Sequence, residues 1–188
     1  MSIPLFSFEF ASNETTNDRV VRCATEVLTT AGGTMSNTIQ HDYYKDFISC
    51  GENVDLSAVH TSCGIFVRAV LFHCGLKVPP AKLGQALING WVPFTLAHPS
   101  WVRYHSPQDT VPQAGSIGFI QSKANPNNCH VFLFLEDLDG GMWSTAEGGQ
   151  GDGTKCAMSQ RTLGSTFDHY GRNLIGWFKT DMIGLPEY

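Results

Sequence analysis

The sequence predicts an α+β domain in which helices come first and antiparallel strands follow. Residues 61–75 are apolar around nearly the whole helix circumference, which is typical of a buried central helix. From Ser116 onward the apolar residues fall in short runs separated by Gly, Pro, Asn and Asp, which is typical of strands and turns. A chain of 188 residues with no repeats and no linker is the size of one domain, so we predict a single domain over residues 1–188.

Three helices are predicted in the first half of the chain. Asn17-Asp18 can cap the first helix, and Thr61 or Ser62 can cap the second. Gly75 suits the left-handed turn that follows a helix end. The predicted helices are Arg19 to about Thr30, residues 61–75 and Ala81–Asn89, and the irregular segments are 34–60 and 90–114.

Five strands are predicted in the second half. The turn Pro112-Gln113-Ala114-Gly115 opens the first strand, and Asp139-Gly140 is a hairpin signal between two others. The strand that begins at His130 is apolar on both faces, so we expect it to lie in the centre of a sheet. The predicted strands are Ser116–Gln121, His130–Glu136, Met142–Ala146, Lys155–Gln160 and Leu174–Lys179.

Charge and hydropathy exclude several classes of partner. The net charge is −5 and no run of Lys or Arg occurs, which argues against a nucleic acid held by phosphate contacts. No apolar run approaches the roughly 18 residues of a membrane helix. Residues 1–10 lack the positive charge and unbroken apolar core of a Sec signal peptide. We therefore expect synthesis in the cytoplasm and export, if any, by a route that needs no cleaved signal.

The six cysteines have two ordinary uses, in disulfides and in zinc sites. Three disulfides are possible in number, but a chain of this length can bury a core without them, and without a signal peptide we expect reduced thiols. No Cys-x-x-Cys or His-x-x-x-His pair supports a zinc site, so we predict no metal and no cofactor. The cysteines are Cys23, Cys50, Cys63, Cys74, Cys129 and Cys156.

Cys63 is a candidate nucleophile because it lies in the first turn of the predicted central helix. Free N–H groups and the positive end of the helix dipole favour the thiolate there. The alternative is a small buried apolar residue. A cysteine nucleophile also needs a base and a group that orients the base.

His130 and Glu147 are the candidates for these two roles. His130 opens the most apolar strand after a turn-prone loop, although a solvated or capped strand-end histidine, or a metal pair with Cys129, would show the same pattern. Glu147 follows a predicted strand and precedes a glycine-rich run, so a solvated turn is its alternative. That run lacks the Lys-Ser/Thr ending of a P-loop.

Four segments in this order resemble the NlpC/P60 and CHAP branch of the papain-like cysteine hydrolases. They are Thr-Ser-Cys63-Gly-Ile-Phe-Val-Arg, Pro112-x-x-Gly115, Asn-Cys-His130-Val-Phe-Leu-Phe and Thr-Ala-Glu147-Gly-Gly. His130 lies 67 residues after Cys63 and Glu147 lies 17 after His130, similar to the spacings in CHAP domains. The resemblance implies a papain-like fold in which Cys63 attacks a carbonyl, His130 carries the proton and Glu147 orients His130.

The chain departs from the family pattern at several positions. Ser116 replaces a structural Asp, Ser62 replaces the Asp or Gln before the nucleophile, and Gly149 replaces an Asn. Gln150 or Asp152 is therefore an alternative third residue. The backbone N–H of Cys63 is the expected oxyanion donor, and the candidate side chains for the second donor are Tyr43, Tyr44, Ser57 and His60.

The resemblance implies hydrolysis of peptide or amide bonds in peptidoglycan. Without a signal peptide or a cell-wall-binding module, the chain is similar to type VI secretion effectors or phage lysin domains, whose partners would be an immunity protein or the secretion apparatus. The alternatives are a cysteine protease or deamidase that acts on host or competitor proteins, a catalytically inactive papain-like binding module, and a metal-binding protein.

The irregular segments suggest the substrate. Segment 34–60 is mainly acidic, and segment 90–114 is aromatic and weakly basic. Two such walls suit a short peptide with both amine and carboxylate groups, as in peptidoglycan stems. Trp91, Trp101 and Trp143 either line this cleft or pack in the core.

Overall fold

The structure, a computed structural model, describes residues 8–30, 50, 62–76, 78, 101–105, 111–150, 155–163 and 171–180. These residues form two helices and one antiparallel sheet of six strands, which confirms the α+β class. The helices are α1 (Thr16–Thr30) and α2 (Ser62–His73). The strands are β1 (Trp101–Arg103), β2 (Ile117–Ser122), β3 (Cys129–Asp137), β4 (Met142–Gln150), β5 (Lys155–Thr162) and β6 (Arg172–Phe178).

The order of strands across the sheet is β1-β6-β2-β3-β4-β5. β3 lies inside the sheet between β2 and β4, as its apolar sequence predicts. The prediction of a loop over 90–114 is wrong at Trp101–Arg103, which pairs with β6. Three residues are too few to show the alternation of a strand in the sequence. This edge strand is recognised only from its pairing with β6.

The first helix begins earlier than its sequence suggests, because the cap is Thr15 and not Asn17-Asp18. The N–H of Asp18 donates to Thr15 Oγ1 over 3.1 Å, and the N–H of Thr15 donates to Asp18 Oδ2 over 3.2 Å. This reciprocal pair is a capping box with Asp in place of the usual Glu. Asp18 therefore takes part in the cap from the third helical position.

The second helix ends as predicted. Gly75 has a φ of 76°, a left-handed conformation that glycine adopts without strain. The N–H of Leu76 donates to the carbonyl of Leu71 over 3.0 Å, and that of Gly75 donates to the carbonyl of Phe72 over 2.9 Å. This pair of bonds is the Schellman motif. It fixes the end of α2, the helix that carries Cys63 at its other end.

The sheet has an apolar cluster on each face. On one face, α1 and α2 pack on β3 and β4, and the predicted central helix is buried from Cys63 to Leu71, whereas Phe72 near its end is exposed. The other face carries a largely aromatic cluster that includes Phe132, Phe134, Trp143 and Trp177. Alternate residues of β3 therefore serve two cores, which explains why its sequence is apolar on both faces.

The turns that bound the strands follow the predictions. Gly115 has a φ of 84°, and a Cβ atom there would lie 2.8 Å from the backbone of Asn17, so only glycine fits this turn. Asp139 and Gly140 also have positive φ and join β3 to β4. β4 extends to Gln150, four residues beyond its predicted end. The predicted helix at Ala81–Asn89, and most of segments 34–60 and 90–114, lie outside the described residues.

Neither of the two described helices is long and apolar enough to cross a membrane.

Candidate active site

The site lies where β3 and β4 separate. Pairing between these strands runs from Asp137 opposite Trp143 to Leu133 opposite Ala146 and stops there. The first four residues of β3 still pair with β2 on one side, but on the other side they no longer pair with β4. Cys63, in the first turn of α2, reaches this edge and hydrogen-bonds the backbone N–H of Val131. The gap in the ladder is what lets a helix side chain contact the strand.

The sulfur of Cys63 accepts hydrogen bonds from three donors. Its exposed fraction is 4%, and this burial raises the pKa of the thiol. The hydrogen bond and charge of His130, together with the N–H groups of Val131 and Gly64, outweigh burial and lower that pKa below its ordinary value. The geometry therefore favours a thiolate opposite an imidazolium.

His130 bridges the thiol and the carboxylate. Its Nε2 lies 3.0 Å from Glu147 Oε2. Burial lowers the pKa of His130, but its bonds to Cys63 and Glu147 outweigh burial and raise that pKa to about 9. Because an ionised carboxylate only accepts hydrogen bonds, Nε2 carries a proton, and Nδ1 is the ring nitrogen left for Cys63.

Glu147 is a fully buried carboxylate inside β4, not the acid of a solvated turn. Burial raises its pKa, but the bonds from His130 and Arg161 lower it to about 2. Thr145 Oγ1 donates to Oε1 over 2.6 Å. Arg161 donates from Nε to Oε1 and from a terminal nitrogen to Oε2, each over 2.6 Å. With so many donors, both oxygens stay ionised and fixed in place.

Gln150 contacts Glu147 and does not take its place. The Gln150 amide donates to Glu147 Oε2 over 2.9 Å. It lies 3.5 Å from His130 Nε2, but both groups are donors there, and both point at the same oxygen. The other alternative third residue, Asp152, lies outside the described residues.

The pKa values of two other cysteines separate them from Cys63. Burial raises the pKa of Cys129 to about 11, and the nearby Cys63 adds to the effect. Burial also raises the pKa of Cys23, which contacts the thiol of Cys74. Both Cys129 and Cys23 are therefore neutral thiols at neutral pH, whereas the pKa of Cys63 moves the other way.

The other residues named in the sequence analysis either lie away from Cys63, His130 and Glu147 or fall outside the described residues. Ser116 is buried beside the turn before β2, and its hydroxyl has no hydrogen-bond partner among the described residues. Trp143 packs against Phe134 in the aromatic cluster, so it belongs to the core and not to a cleft. Trp91 lies outside the described residues. The same is true of the four candidates for the second oxyanion donor, which are Tyr43, Tyr44, Ser57 and His60.

Arg161 and Thr145 are the site residues that the sequence analysis missed. Both lie on the same face of the sheet as Glu147, because Thr145 precedes it by two positions and pairs with Ser159, two before Arg161. Arg161 is one residue beyond the predicted end of its strand. A sequence signal for Arg161 does exist. It is a single Arg near the end of an edge strand whose neighbouring strand carries a single Glu.

Among the described residues, no three His, Cys, Asp or Glu side chains are grouped as a metal ion would require. Comparisons with protein-family models, with curated proteins and with solved structures find no match to this chain.

Proposed function

We propose that this chain is a cysteine hydrolase of amide bonds, with Cys63 as nucleophile, His130 as acid and base, and Glu147 as the residue that orients His130. One observation carries the proposal: His130 lies between the Cys63 thiol and the Glu147 carboxylate and contacts both. The thiol has a lowered pKa, and the buried, ionised carboxylate has its Oε2 atom 3.0 Å from His130 Nε2. Nucleophile, base and orienting group in contact are the requirement of this chemistry.

In the proposed reaction the Cys63 thiolate adds to the carbonyl carbon of an amide. The N–H groups at the start of α2 stabilise the oxyanion that forms. The imidazolium of His130 gives its Nδ1 proton to the leaving amine, and a thioester with Cys63 remains. Neutral His130 then takes a proton from water, the hydroxide adds to the thioester, and the acid leaves while the thiolate and imidazolium are restored.

We further propose a papain-like fold of the NlpC/P60 and CHAP kind and a peptidoglycan stem or cross-link peptide as substrate. The order of Cys63, His130 and Glu147 along the chain and their elements, a helix start followed by two neighbouring strands, support the fold. The substrate rests on the resemblance and on the charges of segments 34–60 and 90–114. Delivery as a secreted effector or as a phage lysin belongs to the same proposal.

The test digests purified sacculi and a mixed protein extract in parallel and identifies products by mass spectrometry. We expect cleaved stem peptides and intact glycan strands. Cys63→Ala and His130→Ala should abolish nearly all turnover, and Glu147→Ala should keep part of it, because orienting a base contributes less than being one. Cys129→Ser is the matched control and should stay active.

Each contrary result has a defined meaning. Cleaved proteins beside intact muropeptides would make the chain a protease or deamidase. An inactive Cys129→Ser beside an active Cys63→Ala would refute the nucleophile. No cleavage of either substrate, with a Cys63 that does not react with iodoacetamide, would favour the inactive binding module.

A further inference from the structure

Arg161 binds the carboxylate of Glu147 side-on, with one donor for each oxygen. Its side chain is 9% exposed, and its guanidinium carbon lies 5.2 Å from the centre of the Phe132 ring. Ala157 and Ser159, the residues on the same face of β5, are small, so the long arginine side chain can lie along the strand to reach Glu147. The bidentate geometry and the aromatic contact leave Arg161 one orientation.

The four polar groups in contact alternate in charge. They run from the Cys63 thiolate to the His130 imidazolium, then to the Glu147 carboxylate and the Arg161 guanidinium. The first three groups alone carry one net negative charge in a buried site, which is unfavourable because burial penalises unbalanced charge. The positive charge of the guanidinium cancels that negative charge.

We propose that Arg161 is a positioning residue that holds Glu147 ionised and aimed at His130, and so extends the thiolate form of Cys63 to lower pH. The inference rests on the proposed catalytic use of Cys63. In this role Arg161 acts through Glu147 and His130. A purely structural pair would anchor β5 to β4 and would leave the ionisation of Cys63 unchanged.

Among the residues that the structure describes, the other charged or titratable groups near the thiol come from β3 and β6. Cys129 is the residue next to His130 on β3, and it is a neutral thiol below about pH 11. Arg172 of β6 donates to the carbonyl of Cys129 over 3.5 Å. Because Cys129 stays neutral across the acid and neutral range, it contributes nothing to a change seen at acid pH.

The experiment measures the rate at which iodoacetamide alkylates Cys63 as a function of pH, with the modified residue located by mass spectrometry. It needs no substrate. The variants are Arg161→Met, which removes the charge and keeps the length, and Arg161→Lys, which keeps the charge. Arg22→Met is the matched control, because Arg22 makes the same two bonds to Glu14, which is not one of the four groups in contact.

We expect the pH at which alkylation is half-maximal to rise by about one unit in Arg161→Met. Arg161→Lys should show less than half of that rise, and Arg22→Met should match the wild type. Identical midpoints in the wild type and Arg161→Met would overturn the role of Arg161. A wild-type Cys63 that reacts no faster than Cys129 at neutral pH would instead refute the proposed function.

Circular dichroism establishes whether Arg161→Met folds. If it does not, Glu147→Gln is compared with the double variant Glu147→Gln/Arg161→Met, in which no buried charge is left unpaired. Because Arg161 acts through the Glu147 carboxylate, these two proteins should share one midpoint, higher than that of the wild type. A midpoint that still differs between them, or a wild-type midpoint in both, would overturn the inference.

Discussion

The molecule contains two arginine–glutamate pairs with the same bonding pattern in opposite surroundings. At the start of α1, Arg22 donates from Nε to Glu14 Oε1 over 2.7 Å and from a terminal nitrogen to Oε2 over 2.9 Å. Between β4 and β5, Arg161 makes the same two bonds to Glu147. The side chains of Arg22 and Glu14 are 41% and 13% exposed, whereas those of Arg161 and Glu147 are 9% and 0% exposed.

The difference shows how burial changes what the same contact contributes to the protein. Water can solvate Arg22 or Glu14 if the other is removed, so the pair contributes little, and its use is local: Arg22 also donates to the carbonyl of Glu9 and fastens the segment before α1. Water cannot replace Arg161, so Glu147 depends on it. The carboxylate that is fixed in this way is then able to orient His130.

The largest difference between the two pairs is expected when each arginine is replaced in turn. Arg161→Met should lower the free energy of unfolding by about 3–5 kcal/mol, because Glu147 becomes an unpaired buried charge. Arg22→Met should change it by an amount close to the error of a urea titration. Equal losses in the two variants would show that burial does not distinguish the pairs.

The pH dependence of stability should also differ between the pairs. Glu147 has a pKa of about 2 against an ordinary 4.5, so its contribution is complete above pH 4.5 and is lost as the pH falls through 2. The loss should reach about 3 kcal/mol. Urea titrations of the wild type and Glu147→Gln from pH 6 to 2 measure it, and parallel curves would contradict the assignment.

A smaller effect should follow from the hydroxyl beside the carboxylate. Thr145→Val keeps the shape of the side chain and removes the bond of 2.6 Å to Glu147 Oε1, at a cost of about 2 kcal/mol. The control is Thr29→Val, since Thr29 Oγ1 bonds only a helix carbonyl, that of Thr25, at an exposed position. A greater loss in the control would mean that the Glu147 oxygens do not need this donor.

The smallest effect is expected at Gln150. Gln150→Ala removes one donor from Glu147 Oε2 while Arg161 and His130 keep their bonds, so we expect a loss of about 1 kcal/mol. Alkylation of Cys63 should keep its pH midpoint. A midpoint that moves as far as in Arg161→Met would make Gln150 a second orienting residue.

The parts of the fold that were predicted from sequence are those fixed by local chemistry. Gly75 and Gly115 adopt left-handed conformations that few other residues tolerate, and both lie at the predicted boundaries. The apolar residues after His130 supply both faces of the sheet, which placed β3 in its centre. Cys63 is a candidate on the sequence alone because a thiol at a buried helix start has a chemical consequence of its own. The contact among Cys63, His130 and Glu147 agrees with their predicted proximity, while their catalytic roles remain predictions.

The features that the sequence did not predict depend on contacts between residues far apart in the chain. Trp101–Arg103 is a strand only through β6, and Thr15 was passed over because Asn17 and Asp18 are also good caps. Arg161 was missed because a charged residue near the end of a strand is typically solvated. Only the register of β4 against β5 brings it to Glu147.

Where β3 and β4 separate, the N–H of Val131 is bonded to sulfur and not to a carbonyl of the neighbouring strand. The resonance of an amide proton shifts when the atom that accepts its hydrogen bond changes charge. In a nitrogen-15 spectrum the Val131 amide should therefore follow the ionisation of Cys63, with no reagent or substrate added. The gap in strand pairing therefore gives β3 an internal indicator of the ionisation of Cys63.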